Sequence, residues 1–78
     1  MIKWDGLDEA IIGICSRCGS QDMYCYDYNK MVEIFMEKDE MSEEDAVEWI
    51  DYNIAGAYVG ETTPMILYTD VDLDLEVE

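Results

Sequence analysis

The side chains best suited to chemistry in this 78-residue chain are three cysteines, Cys15, Cys18 and Cys25, and three alternating aspartates, Asp70, Asp72 and Asp74. Cys15-Ser16-Arg17-Cys18-Gly19 has the shape of half a zinc knuckle. A structural zinc site takes four ligands, normally two such pairs or one pair with histidines. The chain has no histidine and only one further thiol, Cys25. A zinc site would therefore need all three thiolates and a carboxylate, an unusual set. The plainer reading is two small, buried or half-exposed thiols. A thioredoxin-like pair lacks the βαβ context it requires. The aspartate run resembles the first ligands of a calcium loop, but the sixth position must be glycine and is Leu75.

Catalysis has little to work with. Histidine is absent, and serine is confined to Ser16, Ser20 and Ser42. Paired carboxylates are so abundant that no pair stands out as a general acid and base. Gly56-Ala57-Tyr58-Val59-Gly60 is not a phosphate loop, since no lysine follows and the surroundings repel anions. The residues point to a protein without enzymatic activity and without a cofactor.

Charge is the stronger signal. Twenty residues are Asp or Glu against four Lys plus Arg, a net charge of −16. Small domains need a magnitude of only about 2–8 for solubility. The surplus destabilises the compact state by self-repulsion, and a basic partner surface is the plainest compensation. An acidic chain does not bind nucleic acid directly, which takes Lys and Arg on phosphates, nor an anionic membrane. Half the residues are hydrophobic, with six Tyr, two Trp and six Met, so this is not the composition of a disordered acidic chain.

The acids fall in three groups: Asp5, Asp8 and Glu9; Glu37, Asp39 and Glu40 with Glu43, Glu44, Asp45, Glu48 and Asp51; and Asp70 to Glu78. Carboxylates lie about 5–6 Å apart at i, i+3 and i, i+4 on a helix, and about 7 Å apart at alternate strand positions. Both spacings approach that of phosphates along a nucleic-acid strand. Glu40, Glu43, Glu44, Glu48, Asp51, Asp70, Asp72 and Asp74 are the candidate partner-binding residues, with Glu43, Glu44, Glu48 and Asp51 as the main face. The plain alternative is a solvated helix face with a solubilising tail.

The elements that must position these groups follow from pattern. Leu7, Ala10, Ile11 and Ile14 fall at helical spacing, so Leu7–Ile14 reads as a short helix or apolar segment, with Asp5 or Asp8 to cap it. Met23–Tyr28 alternates, with Tyr24, Tyr26 and Tyr28 on one side, and predicts a strand. Asp27 or Asn29 can cap a helix over Lys30–Lys38. Ser42-Glu43-Glu44-Asp45 is a strong helix start: a serine cap and three acids at the positive end of the dipole. That helix should run to Asn53 or Ile54. Ala57–Pro64 reads as a loop and Met65–Thr69 as a strand. Asp70–Glu78 alternates strictly, as an acidic tail or an edge strand. The expectation is a small α+β domain over residues 1–69, with two or three short antiparallel strands and about three helices. Trp4, Ile11, Ile14, Val32, Phe35, Val47, Ile50, Ile54, Ile66 and Leu67 are the core candidates. No apolar run spans a bilayer and the N-terminus lacks a signal-peptide pattern, so a cytoplasmic location is expected, with the cysteines reduced.

Asp5-Gly6-Leu7-Asp8-Glu9-Ala10-Ile11-Ile12-Gly13 and Tyr52-Asn53-Ile54-Ala55-Gly56-Ala57-Tyr58-Val59-Gly60-Glu61-Thr62-Thr63-Pro64 resemble a group of small acidic bacteriophage proteins of uncharacterised activity. The resemblance reaches to about Leu67 and carries no catalytic or binding residue. It implies an accessory factor in the host cytoplasm, such as an inhibitor of CRISPR, restriction or another nucleic-acid enzyme that occupies its basic surface as a nucleic-acid mimic. Two rival readings remain: a structural or regulatory phage module using an apolar patch around Tyr24, Tyr26 and Tyr58, and a zinc protein using Cys15, Cys18 and Cys25.

Overall fold

In the computed structural model, which describes residues 1–71, the chain forms a three-stranded sheet with two helices. A single 3-10 turn, Asp8–Ala10, leads into β1 (Ile11–Cys15). β2 (Met23–Asp27), α1 (Tyr28–Lys38) and α2 (Glu43–Ile50) follow. A π-helical turn over Asp51–Ala55 extends α2, and β3 (Met65–Leu67) completes the sheet. Two α-helices with these two turns replace the three helices expected.

The sheet order is β1-β2-β3. β1 and β2 are antiparallel, but β2 and β3 are parallel, which corrects the all-antiparallel expectation. The cause is the path between them. Both helices intervene, and such a crossover returns the chain to run alongside β2 in the same direction.

The first segment is the other correction. Leu7–Ile14 is not a helix. Only the turn closes, with the Ala10 N–H donating to the Leu7 carbonyl at 2.9 Å. No side chain caps it, and Asp8 instead faces Lys3 at 3.3 Å. Ile11, Ile12 and Ile14 are β-branched and Gly13 weakens a helix interior, while β2 offers a full ladder of backbone partners. A register irregularity between Ile11 and Gly13 marks a bulge at Ile12.

Both helix starts agree with the local chemistry. The Asp27 carboxylate accepts from the Asn29 N–H at 3.1 Å, and the Ser42 hydroxyl accepts from the Asp45 N–H at 3.2 Å. α1 ends where Glu40 takes a left-handed conformation, φ 54°, while the Asp39 and Met41 amides both point at the Phe35 carbonyl.

One face of the sheet packs on the helices. The core consists of Leu7, Ala10, Tyr26, Met31, Val32, Ile34, Ala46, Ile50 and Ile54. Trp4, Ile11, Phe35, Val47 and Ile66 pack around it, half-buried. Ile14 and Leu67 were expected inside and are 54% and 42% exposed. Ile14 lies on edge strand β1, and Leu67 points to the open face of the sheet. Tyr26 is fully enclosed. Its ring lies 4.8 Å from that of Trp4, and its hydroxyl accepts from the Trp4 N–H at 2.9 Å. It therefore belongs to the core and cannot form a surface patch with Tyr24 and Tyr58.

Candidate functional site

α2 owes its amphipathic surface to its order of residues. Ala46 and Ile50 are buried and Val47 is half-buried, which turns the opposite side of the helix to solvent. Glu44, Glu48 and Asp51 follow one another at i, i+4 and i+7, and all three are exposed. Asp45, Glu48, Trp49 and Tyr52 make a second exposed stripe sharing Glu48. Glu43 is exposed in the first turn, on the side nearer the buried stripe. Glu40 is exposed in the turn before the helix.

Trp49 and Tyr52 were not among the expected binding residues. Trp49 belongs by helical spacing to the apolar repeat of Ala46, Val47 and Ile50. It lies at the edge of that repeat, 46% exposed, with its ring 6.4 Å from that of Phe35. Tyr52 is 84% exposed. Its place four residues beyond Glu48, off the Ala46–Ile50 stripe, was the available signal. Met41, Asp45, Glu48, Trp49, Tyr52 and Asn53 line a shallow groove of about 460 Å³. Carboxylates beside exposed aromatic faces suit a guanidinium or ammonium group, which the acids attract as ions and the rings through their negative faces.

The far end of the helix meets the sheet side of the molecule. Burial first, and then the Asp51 charge, push the Tyr28 phenol above its ordinary value. The Tyr28 and Tyr68 rings lie 4.7 Å apart, and Asn29 donates to the Thr69 hydroxyl at 3.3 Å. Asp70, which follows, is exposed. Asp70 thus follows the Tyr68–Thr69 segment that packs on the start of α1, while Asp72 and Asp74 lie outside the described residues.

Among the described residues the one ion pair is Lys3–Asp8, exposed on both sides. The carboxylates of the α2 face have no cationic partner among those residues. Nor do three Cys, Asp or Glu side chains gather as a metal would need. Cys15 ends β1, Cys18 is exposed in the following turn, and Cys25 sits in mid-strand. No helix among the described residues is long and apolar enough to cross a membrane.

Comparison with protein-family models, curated proteins and solved structures finds no match.

Proposed function

We propose that this chain is a non-enzymatic inhibitor that covers a basic, nucleic-acid-binding surface of a host protein. The observation that carries this reading is the exposed face of α2. Four carboxylates and two aromatic rings stand there with no cation from the described chain to neutralise them. Such a face fits a partner surface rich in Arg and Lys, which it engages as a rigid row of charge in place of phosphates. The phage-like sequence runs supply the context: a small accessory factor of the anti-CRISPR or anti-restriction type, acting in the host cytoplasm.

The test is capture of partners from nuclease-treated host lysate, followed by elution with salt or with DNA. A nucleic-acid-processing protein that leaves in salt, is displaced by DNA and is not captured by a Glu44→Lys, Glu48→Lys chain supports the proposal. A partner that stays through high salt and ignores the charge reversal refutes it in favour of an apolar interface.

A further inference from the structure

The sheet face turned away from the helices is rich in sulfur. Cys15 of β1 lies directly across from Met23 of β2, and Cys25 of β2 lies beside Met65 of β3. Met23 and Cys25 are two apart on one strand, so they project to the same side. All four side chains therefore share one face, opposite to Tyr26 and Ile66. None of the four belongs to the core or to the residues packed around it. Cys15, Met23 and Cys25 are half-buried, and Met65 is 50% exposed.

Three of the four also share a groove. Cys15, Met23 and Met65 line one open groove of about 1070 Å³, between the β1–β2 turn and the loop before β3. Cys25 lies diagonally across the strand pair from Cys15, two pair positions along and on the same face. Gly13, directly opposite Cys25, contributes no side chain to the face and leaves that diagonal approach open.

We propose that Cys15, Met23, Cys25 and Met65 form a binding site for copper(I). Two thiolates and two thioethers are soft donors, which exclude magnesium and calcium; thiolates also suit zinc, and the two thioethers, which are not zinc ligands, favour copper(I). The ion replaces the protons of both thiols, so two protons leave for each ion bound. Cys18 takes no part, although the sequence pairs it with Cys15. The site is independent of the acidic face of α2.

The experiment is an anaerobic titration of the intact chain with copper(I), in competition with a chromogenic copper(I) chelator. One ion per chain is expected, with affinity unchanged in Cys18→Ser and lost in the Cys15→Ser, Cys25→Ser double variant. Met23→Leu and Met65→Leu should each weaken binding by about tenfold or more. Leu keeps the volume of Met, and circular dichroism checks that these variants stay folded. Failure to compete with the chelator overturns the proposal. So does binding that survives both Leu variants but falls in Cys18→Ser, which moves the metal to the turn. Zinc binding as tight as copper(I) binding overturns it as well.

Discussion

Reversing the charge of Glu48 should make the fold more stable and the proposed inhibitor weaker. Glu48 sits at the centre of the exposed side of α2. Glu44 lies four residues before it, Asp45 three before and Asp51 three after, all exposed. Each like-charged pair at these spacings costs about 0.2–0.5 kcal/mol, so three such pairs cost about 1 kcal/mol. Lysine removes that repulsion and puts attraction of similar size in its place. The expected gain for Glu48→Lys is about 1–2 kcal/mol at low ionic strength, and about half of that for Glu48→Gln. In a domain of this size each kcal/mol moves the midpoint by about 4–8 °C. Thermal and urea unfolding at low and high salt read the effect. Salt screening should shrink the difference between wild type and variant, since these groups are exposed. A stability that falls on charge reversal, or a gain that does not respond to salt, would show that the α2 carboxylates do not repel one another as their spacing requires. In the capture assay the same variant should lose its partner. A more stable chain with undiminished binding would remove α2 from the proposed interface.

Tyr26→Phe leaves the Trp4 N–H without its acceptor and should cost about 1–2 kcal/mol in urea unfolding. Burial pushes the Tyr26 phenol above its ordinary value of 10.0, against the opposing pull of the Trp4 N–H. The stability it contributes is therefore complete below pH 10 and is lost as pH rises through the higher folded value. The Phe variant should show a shallower alkaline decline, and an unchanged pH profile would contradict the burial. Glu40→Gly relieves a left-handed conformation that costs a side chain about 1–2 kcal/mol. After the extra entropy of the unfolded glycine, a net gain of up to about 1 kcal/mol is expected, and a loss would mean that the turn is held by the side chain. Ser42→Ala removes the α2 cap and should cost about 1 kcal/mol, visible as a lower urea midpoint with unchanged slope.

Short-range order was legible because its causes are local. Asp27 and Ser42 cap their helices through bonds that span two and three residues, and such geometry follows from neighbours in sequence. The exposure of Glu44, Glu48 and Asp51 was legible for the same reason. Ala46 and Ile50 define the inward side, and helical periodicity places the acids on the other. Leu7–Ile14 misled because its helical spacing arises from two unlike pieces, a buried turn at Leu7 and Ala10 and a strand beyond it. That strand forms only because β2 lies alongside to accept its backbone bonds.

Composition and periodicity by themselves determined a small acidic α+β domain, its two capped helices and the carboxylate row on α2. Tertiary structure alone decided that β3 runs parallel to β2, that Tyr26 is enclosed beneath Trp4, and that Cys15 shares a sheet face with Cys25. The first follows from the crossover through both helices; the other two depend on strand register, where a shift of one residue sends every side chain to the opposite face. Register is set by packing between segments far apart in the chain, and no local pattern encodes it.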